Sequence, residues 1–304
     1  ITSVRYFIMK DNLLTLTTEE RNPASMNLPK MSIEESTKMM NEQDEACVPA
    51  VRKVLPVVNE VIKECVRTIG DGGRVVFIGA AHSGYLGSLD AFEANATFGC
   101  TNEFVTIVAG NFTDIMKTDG SAEDHDENAG PDLESRNVTD KDFVIALSSS
   151  GRTPYAIGAL KWCKEHGVKS ACITNNPGAL VSEYADYPIE AVSGPEVITG
   201  STRLKSGTCQ KMILNMITTI TMAQLGNVYE NLMIKVPPVS DKMRKRLEYI
   251  MTEATHCTLE RAHDLLVQTN YDVKVALLME LKNLDLENAA KELEAVKGNI
   301  NRIL

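Results

Sequence analysis

The sequence predicts an α/β protein, with a parallel sheet flanked by helices and a small all-helical subdomain at the C-terminal end. Two observations lead to this prediction. Up to about residue 200, short apolar runs alternate with helical patterns, and turn-forming residues separate them. From residue 239 to 304 there is no strand pattern, only several short amphipathic segments. We therefore expect two domains, 1–238 and 239–304, and leave residues 1–7 out of the fold reasoning.

Four apolar runs have the length and composition of strands: 74–79, 103–109, 142–147 and 169–174. Helical patterns at 86–98 and 154–166 follow the first and third runs. This alternation indicates parallel βαβ units with right-handed crossovers. Ligands of such sheets bind at the carboxyl ends of the strands, so we expect the chemistry in the loops that follow them.

Helical spacing also predicts elements outside the sheet. Two helices are expected within 32–68, a long helix after Thr202, and short tail helices at 259–267, 273–281 and 286–293. Thr258 and Asp285 stand where helix N-caps are expected. The acidic stretch 118–134 is too polar for core and is interpreted as an exposed loop or an active-site lid.

Composition excludes several classes of function. A net charge of -10 argues against nucleic acid as the main partner, since binding to phosphate backbones needs a basic face. The seven cysteines are scattered and form no C-x-x-C pair, which predicts a reducing, cytoplasmic compartment. No apolar run approaches the roughly 18 to 20 residues that a membrane span requires. We predict no membrane association.

The clearest local motif, residues 147–154, stands directly between a predicted strand and a predicted helix. Small residues let the backbone close around an anion, hydroxyls donate to phosphate oxygens, and the helix N-terminus supplies free N–H groups. The alternative is a plain turn rich in small residues, but three adjacent serines exceed what a turn requires. The candidate phosphate-binding residues are Ser148, Ser149, Ser150, Gly151 and Thr153.

A second loop, 79–84, has the same position between a strand and a helix, and it contains Ser83 and Gly84. The two loops could face each other across a cleft. A plain turn and a binding loop explain this second motif equally well.

These motifs resemble a known family. Ser148-x-Ser-Gly-x-Thr153 resembles the phosphate loop of the sugar isomerase (SIS) domain, and residues 194–211 resemble the signature of N-acetylmuramic acid 6-phosphate etherase. The stretches 16–25, 89–99 and 226–233 match as well, so the resemblance covers nearly the whole chain. It implies a SIS-type, flavodoxin-like sandwich with a UBA-like helical tail, and relatives that include glucokinase regulatory protein.

The resemblance implies a cofactor-free lyase that works as a homodimer on a phosphorylated amino sugar. It would cleave the D-lactyl ether at C3 of N-acetylmuramic acid 6-phosphate, giving N-acetylglucosamine 6-phosphate and D-lactate, as in peptidoglycan recycling. The two carboxylates that serve that family map by position onto Glu93 and Glu123.

The chemistry of such a reaction agrees with two carboxylates. A base must remove the C2 proton, which the C1 aldehyde makes acidic, and an acid must protonate the departing oxygen. Glu93 is the first candidate for an acid/base residue and Glu123 is its partner. Which of them is the acid and which is the base stays open. Each has an alternative interpretation, Glu93 as a solvated helix residue and Glu123 as one of many surface acids.

Residues 194–211, which we call the central motif, contribute three further candidates. Glu196 is a candidate base by resemblance to the SIS isomerases, and Ser201 and Lys205 are candidate sugar or anion ligands. Helix capping and surface charge are the alternatives. His82 lies in the second loop, where it could contact substrate, although solvated loop histidines are common. The other histidines have no spacing with cysteines or carboxylates that indicates a metal, so we predict none.

Two departures from the family pattern leave other functions open. The usual Gly-Thr-Ser-Gly-Arg loop reads Ala81-His-Ser-Gly-Tyr85, and the usual Cys-Pro-Pro after the glutamate reads Ala94-Asn-Ala96. The lost arginine removes a natural partner for a carboxylate. One alternative is an aldose–ketose isomerase that uses Glu196 or Glu93, and another is a non-catalytic sugar-phosphate sensor. Retention of Glu93 favours an enzyme.

Overall fold

A computed structural model describes residues 15–110 and 121–304 of the chain. Residues 1–7 and the beginning of the acidic stretch, 118–120, lie outside these ranges. The helices are α1 Ile33–Asp44, α2 Cys47–Gly70, α3 Ala81–Phe98, α4 Ala129–Ser135, α5 Pro154–His166, α6 Lys205–Gln224, α7 Asp241–Thr255, α8 Leu259–Gln268, α9 Val273–Leu281 and α10 Leu286–Ala295. The strands are β1 Val75–Gly79, β2 Phe104–Val108, β3 Phe143–Leu147, β4 Lys169–Thr174, β5 Tyr187–Glu190, β6 Val228–Tyr229 and β7 Leu232–Met233.

The first five strands form one parallel sheet in the order β2-β1-β3-β4-β5. This confirms the predicted fold class, and all four predicted strands are present. The edge strand β5 was not predicted, because it is only four residues long and contains Pro188. In this strand order the chain reverses direction across the sheet between β1 and β3, where ligands of doubly wound folds bind.

Helices cover both faces of the sheet. On one face, Val76 and Val144 are buried in a cluster with Leu133 of α4 and Leu160 of α5. On the other face, α3 comes so close that a Cβ on Gly87 would lie 3.0 Å from the Cβ of Phe77. Alternate residues of each strand therefore face different helices, and this explains why the strands read as continuous apolar runs.

Two predicted elements have different boundaries in the structure. Helix α3 begins at Ala81, five residues earlier than the pattern indicated. Gly84 makes this early start possible, because a Cβ there would lie 2.7 Å from the carbonyl oxygen of Gly79. The stretch 118–134 was expected to be too polar for core, as an exposed loop or an active-site lid, but its last residues form part of α4, in which Ala129 and Leu133 are fully buried.

The chain divides into two compact units, one formed by residues up to 91 with 103–217, and the other by 92–102 with 218–304. The domain boundary at 238/239 stays a prediction. The second unit contains α7 to α10, and its core includes Leu247, Leu265 and Leu277. As predicted, Thr258 caps α8 through the N–H of Arg261, and Asp285 caps α10 through that of Asn288.

None of the helices in the described parts of the chain combines the length and the apolar character that crossing a membrane requires.

Candidate active site

The two serine-containing loops meet at the carboxyl ends of β1 and β3. Gly79 and Leu147, the last residues of these strands, are register partners in the sheet. Ser83 Oγ lies 3.4 Å from Ser149 Oγ, across 66 residues of sequence. The prediction that these loops could face each other is therefore confirmed, at the place where a doubly wound sheet binds its ligands.

The loop that follows β3 is held by its own hydroxyl groups. Ser148 Oγ accepts a hydrogen bond from the N–H of Gly151 at 3.0 Å and lies 2.8 Å from Thr153 Oγ1. Ser150 Oγ accepts from the N–H of Arg152 at 3.2 Å. These short-range bonds curl residues 148–153 into a compact turn before α5.

Gly151 is required where this turn packs on the neighbouring loop. Its φ is +68°, which L side chains rarely adopt. A Cβ at this position would collide with the side chain of Ala179 and lie 2.6 Å from Thr174 Oγ1. No other amino acid can occupy this place without displacing the loop.

The carbonyl groups of the loop point into the protein. The Ser149 carbonyl oxygen accepts three hydrogen bonds, from the N–H of Asn175, the hydroxyl of Thr174 and the amide nitrogen of Asn176. The Ser150 carbonyl also accepts from Asn176, at 3.3 Å. Within the described residues, the N–H groups of Ser149, Ser150 and Thr153 donate to no protein oxygen. Inward carbonyls and unused N–H groups at a helix N-terminus are the features of an anion cradle, and the binding of phosphate by this loop stays a prediction.

Asn175 and Asn176 were not predicted as functional residues. Both are buried, and Asn176 also joins the N-terminal segment, because its Nδ2 lies 3.1 Å from Thr18 Oγ1. Their position directly after β4, where a parallel strand ends, was a usable signal. Their partners, up to 158 residues away, have no counterpart in local patterns.

The central motif begins with buried charges that shape the start of α6. Glu196 has no exposed surface, and it accepts hydrogen bonds from the N–H groups of Lys205 and Ser206 at 3.0 and 2.9 Å. Lys205 is 2% exposed and donates from Nζ to the Ser193 carbonyl at 3.1 Å. Through these hydrogen bonds, Glu196 and Lys205 stabilise the start of α6. Ser201 is half-buried. Their roles toward a ligand remain predictions.

Glu123 lies on a short 3-10 turn, Ser121–Asp124, near the end of β2. A Cβ on Gly110, just beyond β2, would lie 3.0 Å from the Cβ of the adjacent Ala122. Glu123 is exposed at the surface, yet desolvation by the surrounding protein atoms and the charge of Asp124 raise the pKa of its carboxyl above the ordinary value. A carboxyl with a raised pKa at the carboxyl edge of the sheet suits an acid/base role.

Glu93 lies on α3 and belongs to the second compact unit. Its side chain is exposed, as is the neighbouring Phe92. Its backbone carbonyl accepts a hydrogen bond from Thr97 Oγ1. A catalytic role for Glu93 therefore stays a prediction that depends on family resemblance and on chemistry.

His82 lies at the start of α3, facing α6. A Cβ on Gly207 would lie 2.7 Å from His82 Nε2. Although His82 is exposed, desolvation by neighbouring protein atoms and the positive charge of Arg203 lower the pKa of the imidazole, so the neutral form prevails near neutral pH. In the described ranges, no three His, Cys, Asp or Glu side chains group closely enough to hold a metal ion.

The fold and the cradle define a SIS-domain protein. The SIS domain model matches residues 127–220, and that of the glucokinase regulatory protein N-terminal SIS domain matches residues 57–164. The chain belongs to the N-acetylmuramic acid 6-phosphate etherase family.

The family protein of Clostridium beijerinckii is 43% identical over 96% of this chain and 97% of its own length. The one from Exiguobacterium is 41% identical over 95% and 99%, and the one from Staphylococcus aureus is 44% identical over 91% and 93%.

Structural comparison supports the fold. A crystal structure from Bacteroides fragilis, described as a candidate phosphosugar isomerase involved in capsule formation, aligns with a TM-score of 0.50 and 17% identity. It covers 66% of this chain and 95% of its own length.

Proposed function

We propose that this protein is a carbon–oxygen lyase that cleaves the C3 D-lactyl ether of N-acetylmuramic acid 6-phosphate. The products are N-acetylglucosamine 6-phosphate and D-lactate. The observation that carries the proposal is a serine-rich loop at the β1/β3 edge, curled by its own hydrogen bonds before a helix N-terminus, in a chain that is 41–44% identical to etherases. We call this loop the cradle. The relatives favour this activity over an aldose–ketose isomerase and over a non-catalytic sensor.

The cradle holds the 6-phosphate in this proposal. Ser148, Ser150 and Thr153 offer hydroxyls, and the N–H groups of the loop offer further donors at the N-terminus of α5. Hydrogen bonds to an anion are stronger than those between neutral groups, so a few donors suffice. The anchored phosphate leaves the other end of the open-chain sugar for chemistry.

Elimination followed by water addition accounts for the products. A carboxylate removes the C2 proton, the C–H electron pair forms the C2=C3 bond, and the C3–O bond breaks as the lactate oxygen receives a proton. Water then adds its oxygen to C3 and a proton to C2, which completes a net hydrolysis. We assign these proton transfers to Glu93 and Glu123. The raised pKa of Glu123 keeps more of this group protonated, which suits delivery of a proton to the leaving oxygen.

We also propose a cytoplasmic homodimer that acts in amino sugar catabolism and peptidoglycan recycling. Six of the seven cysteine side chains are buried, which suits a reducing compartment. On α6, Ile220 is 40% exposed and Met212 and Met216 are half-buried, so this helix presents an apolar stripe. Such a stripe suits a subunit contact.

The decisive experiment measures lactate release from N-acetylmuramic acid 6-phosphate by the wild type, Glu93→Gln and Glu123→Gln. Binding of N-acetylglucosamine 6-phosphate is measured in all three by calorimetry. We expect release by the wild type and at least a hundredfold loss in each variant, with binding retained. Tight binding by a wild type that releases no lactate would support the sensor instead.

A further inference from the structure

Gln210 lies on the second turn of α6 and has no exposed surface. Its side-chain nitrogen Nε2 lies 3.0 Å from Ser149 Oγ and 3.4 Å from Asn175 Oδ1. A buried amide that touches the phosphate loop must have a defined orientation, because its nitrogen only donates hydrogen bonds and its oxygen only accepts them.

The orientation of this amide follows from a main-chain carbonyl. The Ala191 carbonyl oxygen can only accept, so the Asn175 atom 2.9 Å away is the donor Nδ2. Asn175 therefore turns its Oδ1 toward Gln210, and the Gln210 atom that faces it must be Nε2. The reverse orientation would bring two buried acceptor oxygens together, which is unfavourable.

The other end of the Gln210 amide supports the same conclusion. Its Oε1 is buried and, among the described residues, accepts no hydrogen bond. An unsatisfied buried acceptor costs about 1 to 3 kcal/mol. Because the unsatisfied Oε1 destabilises the fold, the presence of glutamine at this position indicates that the hydrogen bonds donated by Nε2 are the reason for this residue.

The orientation of Gln210 determines how Ser149 and Ser83 use their hydroxyl groups. Because Ser149 Oγ accepts from Gln210, its own proton is available for Ser83 Oγ, which is 3.4 Å away, within reach of a weak hydrogen bond. Ser83 Oγ then accepts from Ser149 and has its own proton free for a third group. The resulting chain runs in one direction, from Gln210 through Ser149 to Ser83.

We infer that Gln210 is a positioning residue that makes Ser83 a hydrogen-bond donor toward the phosphate of the substrate. This inference rests on the proposed sugar-phosphate function of the cradle. Gln210 itself touches no substrate. It acts through Ser149 and thereby presents a donor at the start of α3, opposite the donors at the start of α5.

The first test replaces Gln210 by the similarly shaped methionine, which cannot donate. Calorimetry measures the Kd for N-acetylglucosamine 6-phosphate and for inorganic phosphate. We expect Gln210→Met to raise both Kd values by about five- to tenfold, the effect of one hydrogen bond. The KM for the ether substrate should rise similarly with kcat within about twofold, because the phosphate is remote from the reacting carbons.

Thr221→Val is the matched control on the same helix. Thr221 has no exposed surface, and its hydroxyl has no partner among the described residues. Removing this hydroxyl should change neither Kd beyond about twofold. Thermal unfolding of each variant shows whether the protein remains folded.

A double-mutant cycle with Ser83→Ala tests the direction of the chain. If Gln210 acts through Ser83, Gln210→Met should have almost no effect on Kd in the Ser83→Ala background. Two effects that multiply in the double variant would overturn the inference, since they would mean that Gln210 supports the loop by another route.

Gln210→Glu provides a second, independent readout. An ionised carboxylate can only accept, so it reverses the chain and should weaken phosphate binding more than Gln210→Met does. A protonated carboxyl can donate again, so the phosphate affinity of Gln210→Glu should recover as the pH falls, relative to that of Gln210→Met at the same pH. The loss of affinity caused by Gln210→Glu should also disappear in the Ser83→Ala background. A loss caused by simple charge repulsion would persist there.

The outcomes separate this inference from the proposed function. A wild type that binds neither ligand overturns both. A wild type that binds, together with a Gln210→Met variant of unchanged Kd, overturns the inference alone. Weaker binding in Gln210→Met that vanishes without Ser83 supports it.

Discussion

Arg74 and Asp142 form a two-pronged ion pair between the residues that precede β1 and β3. Arg74 Nε lies 3.1 Å from Asp142 Oδ1, and Nη2 lies 2.9 Å from Oδ2. The Asp142 carboxylate is 4% exposed and also accepts from the N–H groups of Arg74 and Thr139. These strands bear the two serine loops at their other ends, so the pair helps to hold the register that brings Ser83 to Ser149.

The first prediction is that Asp142→Asn lowers the free energy of unfolding by about 3 kcal/mol, because it leaves a largely buried guanidinium without its counter-charge. Burial raises the pKa of Asp142, but the hydrogen bonds from Arg74 and Thr139 and the charge of Arg74 outweigh it, and the net shift is downward. The pair therefore stabilises the fold above about pH 4, the ordinary range of aspartate, and this contribution is lost as the pH falls through the lower folded pKa.

Urea unfolding at pH 7, 5 and 3 checks this prediction. The wild type should lose more stability than Asp142→Asn between pH 5 and pH 3. Asp71→Asn is the control, since Asp71 and Arg67 are exposed and 3.9 Å apart, and it should change stability by less than about 0.5 kcal/mol. Equal acid sensitivity of the wild type and Asp142→Asn would contradict the assignment.

Gly151→Ala should both destabilise the protein and impair phosphate binding. The added Cβ meets Ala179 and Thr174 in a backbone conformation that alanine rarely adopts. We expect a loss of about 3 kcal/mol in unfolding free energy and more than a tenfold rise in the Kd for phosphate. Gly167→Ala is the matched control, because Gly167 has a φ of +69° but open space around its Cβ position. It should cost about 1 kcal/mol and leave the Kd unchanged.

How much of this site the sequence predicts depends on how far apart along the chain the interacting residues lie. Ser148 to Thr153 were predictable, because a strand, a run of hydroxyls and a helix are contiguous and their chemistry is local. Gln210 was hidden within a matched motif, because its role depends on Asn175, 35 residues away, and on the sheet that brings them together. Periodic patterns located the loops, but they contain no information about which buried amide faces which hydroxyl.

The pKa of Glu123 predicts a pH effect on catalysis. Desolvation by neighbouring protein atoms is the main cause of its upward shift, and the charge of Asp124 adds to it. If Glu123 delivers a proton, kcat/KM should fall on the alkaline side as this group ionises. Asp124→Asn removes the neighbouring charge and lowers the Glu123 pKa, so the alkaline limb should move to lower pH.

The measurement is kcat/KM against pH for the wild type, Asp124→Asn and Asp126→Asn. The last variant has the same change in net charge, but Asp126 does not contribute to the Glu123 shift. An alkaline limb that stays in place in Asp124→Asn, or that moves equally in both variants, would count against Glu123 as the proton donor.

In the second unit, Lys274 has a half-buried position that costs stability at neutral pH. Its Nζ donates to Asn227 Oδ1 at 2.8 Å and to the Gly298 carbonyl at 2.7 Å, but no carboxylate directly opposes it in these bonds. Burial, reinforced by the charge of Lys235, lowers the pKa of Lys274 from 10.5 to about 8. Its protonated form is thus less favourable in the folded state than in the unfolded chain.

The lowered pKa of Lys274 predicts that the free energy of unfolding increases at mildly alkaline pH, before the titration of other groups destabilises the protein. Between about pH 8 and 10.5 the unfolded chain keeps a proton on Lys274 that the folded state has released, so the free energy of unfolding rises with pH, by at most about 3 kcal/mol. Lys274→Met should lack this increase with pH, whatever the loss of its two hydrogen bonds does to the overall stability.

Lys291→Met is the control. It removes an exposed lysine and should keep the wild-type response. Urea unfolding at pH 7.5, 8.5 and 9.5 measures the difference, and identical pH slopes in the wild type and Lys274→Met would mean that the buried amine keeps its proton.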